Sequence, residues 1–404
     1  MDRTRAFVIA LLLCCLVAVG GVVASDSGTE PQTDDEPERS MTVVTVENSS
    51  EYLTPRSGAV DRSGERTTGI DVSGAIEADV GQFRSVYLLE SIQRQYRNAE
   101  TDAERADVLE RGAERLSGRV DTIERKERAA IREFSAGQRN SGGLLRTLAT
   151  VHREADATAE SLEWIEERAD EIGADGTAQR AATDRVRLVP MGGPTRAQLE
   201  RAIEGESTPR AYVETAGDGV VVATMDPDSE TYLREAHDPT AKRADVPDQY
   251  DGNPSPALDR FSELYPWAVQ SFDAIDAIGP AQVRLYRFGA DHPHGELETY
   301  LDSGSTEILH ERQRIDPEAM PTTTLEGTDG DLRVVLNTTR AGGPLGVALV
   351  DTTSGERVDG TVELNGERVG STGDGRLWTI APRGQTTINA THAGETVAVE
   401  TRFD

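Results

Sequence analysis

Apolar residues recur at three- and four-residue steps from about residue 75 to 173, then settle into two-residue alternation near the C-terminus. The first pattern is helical and the second is that of half-buried strands. A first helix carries Ile76, Val80, Phe83, Tyr87, Ile92 and Tyr96, expected to face a core. Thr101-Asp102-Ala103-Glu104 has the form of a capping box opening a second helix. Leu109, Ala113, Leu116, Val120 and Ile123 follow at heptad spacing, continuing to Ile131 and Phe134. Asn140-Ser141-Gly142-Gly143 breaks the chain before a third helix through Leu148, Val151, Ala155, Leu162, Ile165, Ala169 and Ile172. The pattern predicts a three-helix bundle or coiled coil over 75–182.

Between 183 and 320 the sequence repeats itself. Val186-Arg187-Leu188-Val189-Pro190-Met191-Gly192 aligns with Val283-Arg284-Leu285-Tyr286-Arg287-Phe288-Gly289, and QLERAIEGEST (198–208) with ELETYLDSGST (296–306). Each copy reads as a strand, a short helix and a turn into another strand, which predicts a duplicated α/β unit sharing one sheet. An amphipathic helix is expected over Leu258–Ile278. From 322 to 404 the reading is all β, with strands over 332–338, 345–351, 360–364, 376–381, 385–391 and 395–403. Asn365-Gly366 between alternating runs is a two-residue hairpin signal. Short strands and frequent turns predict a β-sandwich, so the fold class is multidomain α+β.

The N-terminus changes the picture of where this fold resides. Arg3 and Arg5 precede an apolar run from Ala6 to Ala24, followed by a polar, proline-containing stretch. Residues 1–24 therefore read as an export signal cleaved after Ala24, or as an uncleaved anchor holding the chain to the membrane through residues 6–24. Residues 25–74 read as an acidic flexible linker, with a short strand near 42–46. Both cysteines, Cys14 and Cys15, lie in the apolar run. The remainder of the chain thus has no disulfide, thiolate nucleophile or cysteine zinc site. Asn48, Asn337 and Asn389 head sequons, and Leu336 and Ile388 belong to alternating series that send the last two asparagines to solvent.

Charge narrows the partners. Acidic residues number 72 against 42 basic, giving a net charge of −30, and only Lys126 and Lys242 are lysine. Disorder, an acidic partner site and salt adaptation are the three readings of such a balance. Periodic apolar patterning opposes the first and the even spread of acids opposes the second, leaving a carboxylate surface suited to high salt. No basic stripe exists to neutralise phosphates, so nucleic acid is not an expected partner.

Candidate chemistry is sparse. No Gly-x-Ser-x-Gly elbow, phosphate loop or dinucleotide fingerprint occurs, and His310-Glu311 lacks the second histidine of a zincin helix. His292 and His294, beside Asp291, are one weak metal candidate. Asp226 and Asp228, with Glu230, are another, but the calcium-loop spacing is absent. His152 is expected to pack at the bundle margin, and His237 and His392 have no evident partners. No catalytic residue is assigned and no cofactor is expected.

The stretch PLGVALVDTTSGERVDGTVELNGERVGSTGDGRLWTIAPRGQTTINATHAGETVAVE (344–400) resembles immunoglobulin-like or carboxypeptidase-regulatory-like sandwiches of surface proteins. The export segment, VENSSEYL at 46–53, the helical region and the sandwich together resemble uncharacterised haloarchaeal exported proteins. That likeness implies a compartment and an architecture, and supplies no activity. A non-catalytic, extracytoplasmic surface role is the expectation, with cell-envelope proteins or glycans as partners and self-association through the helices. The alternatives are a ligand-binding or sensor module with its cleft between the repeats, and a hydrolase with an unrecognised site.

Overall fold

A computed structural model describes residues 39–45, 51–56, 58–226, 230–243, 245–267, 272–279, 283–373 and 375–404, and Arg39–Asp404 belong to one unit. The expected signal or anchor, the 25–38 spacer and Asn48 lie outside the described residues. Among the described residues, no helix is long and apolar enough to cross a membrane.

Five helices form one layer: α1 (Val72–Asn98), α2 (Asp102–Ser135), α3 (Ser141–Glu171), α4 (Asp175–Leu188) and α5 (Pro194–Glu204). Local sequence fixes their starts. Asp71 and Asn140 accept from the third residue of α1 and α3, and the Thr101–Glu104 capping box opens α2. The inner faces of α2 and α3 follow the predicted seam, with Leu116, Val120, Ile123, Leu162 and Ile165 fully buried.

The middle of the chain departs from expectation. Its strands form one eight-stranded sheet, ordered β3 (Arg62–Thr67), β4 (Arg210–Ala216), β5 (Gly219–Met225), β6 (Tyr232–His237), β10 (Ile308–Ile315), β9 (Gly295–Asp302), β8 (Leu285–His292) and β7 (Phe272–Ile278). Every pairing is antiparallel. The duplicated α/β unit is not formed. Val186–Leu188 ends α4, which runs across the boundary expected at 182, and Val189–Met191 is a 3-10 turn, whereas the aligned Leu285–Gly289 lies in β8. Likewise QLERAIE is helical in α5 while ELETYLD is β9. Leu297 and Leu301, four apart, satisfy both periodicities, so only the sheet beside them decides. The helix expected over Leu258–Ile278 is α6 (Pro254–Leu264), followed by β7. Pro266 disfavours helical backbone at Tyr265, and the helix ends there. The linker expected over 25–74 instead supplies β1 (Met41–Thr45), β2 (Glu51–Pro55) and the sheet-edge strand β3.

The sheet has a helical face and a hairpin face. Ala211, Val213, Val220 and Val222 meet Ile131, Phe134, Leu145 and Leu148 on the first. Tyr286, Phe288 and Leu301 meet α6 and the β1–β2 hairpin on the second. The C-terminal sandwich comprises two four-stranded sheets. One is β11 (Thr323–Asp329), β12 (Leu332–Thr338), β13 (Pro344–Asp351) and β16 (Leu377–Ile380). The other is β15 (Glu367–Ser371), β14 (Thr361–Leu364), β17 (Gly384–His392) and β18 (Glu395–Phe403). Asn365 and Gly366 close β14–β15 with positive φ of 51° and 81°, the type I′ turn their identity predicted. The sandwich docks on the hairpin face through Trp378 and Ile380 against Tyr212 and Met225. The Tyr232 hydroxyl donates to the Gly342 carbonyl at 2.6 Å.

Candidate functional site

Helix α1 carries two opposed faces. Gly74, Ala78, Gly81 and Ser85 are its buried residues before Ile92. They let the helix press onto α3: Ser85 and Thr158 hydroxyls sit 3.3 Å apart. A Cβ on Gly81 would fall 2.5 Å from the Glu154 side chain. That carboxylate is in turn held by Arg119 at 3.0 Å and Lys126 at 3.1 Å. The large apolar residues point the other way. Val72, Ile76, Val80, Phe83, Val86 and Tyr87 are 45–68% exposed, and Ile70 just before the helix is 71% exposed. The expectation that residues 76, 80, 83 and 87 face the core is therefore overturned. A helix with a small-residue stripe opposite a large apolar one packs closest through the small stripe, because crossing distance depends on side-chain size. Leu88, Ile92 and Tyr96, farther along, turn inward; Tyr96 meets Trp164 edge-on at 5.5 Å. A contiguous apolar patch rimmed by charge is the surface signature of a contact site.

Beneath the helices lies a second feature, a charged layer between helix and sheet. Arg196, in the first turn of α5, pairs with Glu127 of α2 at 2.6 Å and Glu235 of β6 at 3.3 Å; all three are buried. Glu235 also accepts from the Thr195 backbone N–H at 2.7 Å, capping a helix whose own N-cap, Gly193, has no side chain. Arg312 of β10 gives Nε to His310 Nε2 at 3.0 Å, and another nitrogen to Glu298 at 2.7 Å and the Tyr300 hydroxyl at 3.0 Å. Its remaining nitrogen reaches the Val189 and Gly192 carbonyls at 2.8 and 2.9 Å. The guanidinium thereby ties the turn between α4 and α5 to the sheet.

Three of the six histidines join this layer. Because His310 Nε2 accepts a hydrogen bond, its ring is neutral with the proton on Nδ1. Burial, Arg312, His237 and Arg196 hold its pKa well below the usual value. Burial also lowers His237, whose Nδ1 lies 3.1 Å from the Leu309 carbonyl, and His152, whose Nδ1 lies 3.3 Å from the Met191 carbonyl. Every nitrogen of Arg312 is engaged by the protein, so this layer fastens helices to sheet.

One cavity of about 320 Å³ opens beside it, between α2, the end of α4 and the sheet. Glu127, His237, Lys242 and Met191 are among its lining. Glu127 gives one oxygen to Arg196, and its other oxygen has no hydrogen-bond partner among the described residues.

The sequence-derived candidates are scattered. Asn337 and Asn389 are half-exposed on β12 and β17, with buried Leu336 and Ile388 beside them, as the alternation predicted. His292 ends β8, with its side chain outside the described residues; His294 lies in the turn to β9, and Asp226 follows β5, while Asp228 is outside the described residues. Across the sheet Met225 pairs with Tyr232, Tyr232 with Ile315, and Ile315 with Gly295. Asp226 and His294 thus share one sheet end but stand about 14 Å apart, three strand spacings. Among the described residues no three His, Cys, Asp or Glu side chains gather to hold a metal. His152, expected at a margin, is buried in the charged layer, and His237 has partners there. The sequence did carry one signal for that layer. Strand β10 reads Ile-Leu-His-Glu-Arg-Gln-Arg-Ile, polar on both faces in the middle of a sheet.

The profile of a domain of unknown function, DUF7096, matches residues 1–208, just over half of the 404. The chain belongs to the DUF7096 family. A family of unknown function, DUF7094, matches residues 211–321, and an archaeal fibronectin-III type-like domain matches 322–399. None of the curated proteins and none of the solved structures matches the chain. The C-terminal likeness thus holds as an archaeal, immunoglobulin-like sandwich. The DUF7096 segment contains α1 to α5 and also β3, which pairs with β4 of the DUF7094 segment from Arg62–Thr215 to Thr67–Arg210. The two segments therefore build one sheet, and the charged layer is assembled from both.

Proposed function

We propose that the protein is an exported, non-catalytic surface protein of a salt-adapted archaeon, and that its helical layer docks onto another protein. The outward apolar face of α1, from Val72 to Tyr87, carries this reading. A surface dense in carboxylates has no solvation reason to display seven large apolar residues together, unless something covers them. The charged layer under α2 to α5 supports the same role, since it keeps the platform beneath α1 rigid. The Arg3/Arg5–Ala6–Ala24 segment supports export, with the chain secreted or anchored facing outward. Glycans at Asn48, Asn337 and Asn389 belong to the proposal.

Cross-linking of intact cell envelopes tests docking: the wild-type chain enters a cross-linked complex and Phe83→Asp does not. A chain that stays uncomplexed in every sample sinks it. Mass spectrometry of the native protein tests export, through loss of residues 1–24 or recovery in the envelope, and glycan mass at the three asparagines. Unmodified full-length chain confined to cytosol overturns that part.

The cavity beside Glu127 favours a second reading, a ligand-binding module. Its cleft lies between helices and sheet, because the repeats that were to flank it are not formed. An amine or amino acid that raises Tm in the wild type but not in Glu127→Gln would favour it over docking alone.

A further inference from the structure

We infer that the partner of α1 is a second copy of the same chain, paired antiparallel through the stripe from Ile76 to Tyr87. This rests on the docking reading above and names its occupant. Ile76, Val80, Phe83 and Tyr87 step by four, three and four, the spacing of a two-helix seam. Six exposed apolar side chains of α1 from each copy, each bringing on the order of 100 Å², reach about the 1,200 Å² at the lower end of specific interfaces.

Charge decides the direction. Past Tyr87 the same seam continues through Glu90, Arg94 and Arg97, all exposed. Parallel, in-register pairing would stack each of these on its own copy, opposing like charges along the seam. An antiparallel pair about a two-fold axis between Gly81 and Gln82 removes that conflict. Ile76 then meets Tyr87 of the second copy, and Val80 meets Phe83. Glu90 falls opposite Ser73, and Arg94 and Arg97 run past the start of the second copy's α1 at Val72. On the flank, Glu77 comes beside Arg84 of the second copy, twice by symmetry; both are exposed. The Glu77 carboxylate, 2.7 Å from Lys126 and about half exposed, has room for a second cation. Such a contact is isologous and closes as a dimer.

The full chain in concentrated salt gives the test, in a Cys14→Ser/Cys15→Ser background that leaves no other thiol. Light scattering is expected to show a dimer for this chain and a monomer for Phe83→Asp, with unchanged circular dichroism. Ile76→Ser, expected to be monomeric too, replaces it should Phe83→Asp perturb folding. Val80→Cys is then expected to cross-link with a short bismaleimide. Val72→Cys is not, because antiparallel pairing holds those positions about 28 Å apart along the axis at 1.5 Å per residue. Equal linking at both positions means parallel pairing and overturns the geometry. A monomeric wild-type chain that still enters a Phe83-dependent envelope complex overturns self-pairing and leaves docking standing. A monomer with no complex sinks both.

Discussion

Strand β12 of the sandwich and helix α1 both show clean apolar periodicity, yet they use it in opposite ways. In β12, Leu332, Val334 and Leu336 are buried, and Arg333, Val335 and Asn337 alternate outward. In α1 from Val72 to Tyr87 the large apolar residues face out, and glycine, alanine and serine face in. Periodicity establishes that an apolar face exists; the neighbouring layer decides whether that face is covered. The sandwich covers its own. Helix α1 is covered on its small side and presents its large side.

Four changes break or sharpen this contrast. Leu336→Ala removes a fully buried side chain from the sandwich and is expected to cost about 2–5 kcal/mol, measured by denaturant unfolding. Gly81→Val tests the small face of α1. Its Cβ collides with Glu154, so a loss of about 1–3 kcal/mol is expected, with α1 loosening from α3 in hydrogen exchange. An unchanged exchange pattern would mean that the close approach is not what seats the helix.

Acid probes the charged layer that the sandwich lacks. Native His310 is held well below the 6.5 at which the unfolded chain takes up its proton. As pH falls below about 6.5 the unfolded state binds a proton that the native state refuses, so stability declines. The loss approaches about 1.4 kcal/mol per pH unit for each such histidine, until the native pKa is reached. His237 and His152 act with the same sign. His310→Gln keeps an acceptor for Arg312 and is expected to flatten the dependence of Tm on pH between 6.5 and 5; an identical slope would exclude His310 as a source. The smallest stability effect is expected on the outer face. Phe83→Asp should leave stability within about 0.5 kcal/mol of wild type, since nothing among the described residues covers Phe83.

How legible the fold was follows the same division. The sandwich strands, the Asn365-Gly366 turn and the Thr101–Glu104 box were visible, because each rests on local chemistry and uninterrupted alternation. The eight-stranded sheet was not. Arg187 shows why: its β-prone neighbours Val186, Leu188 and Val189 hid a helical turn that its bonds to Asp184, Asp121 and Glu124 make favourable. Apart from the polar faces of β10, the charged layer was hidden by abundance, since among 72 acids nothing in Glu127 or Glu235 marks them as buried. The orientation of α1 was hidden because the stripe of small residues that wins the core side carries almost no hydrophobic signal.

The pairing of β3 with β4 closes a loop around all five helices of the first layer. A chain tethered at its N-terminus and pulled from its C-terminus would therefore carry tension from Arg62–Thr67 directly into Arg210–Ala216. The interstrand hydrogen bonds bear the load, and the helices between them stay slack until those bonds part.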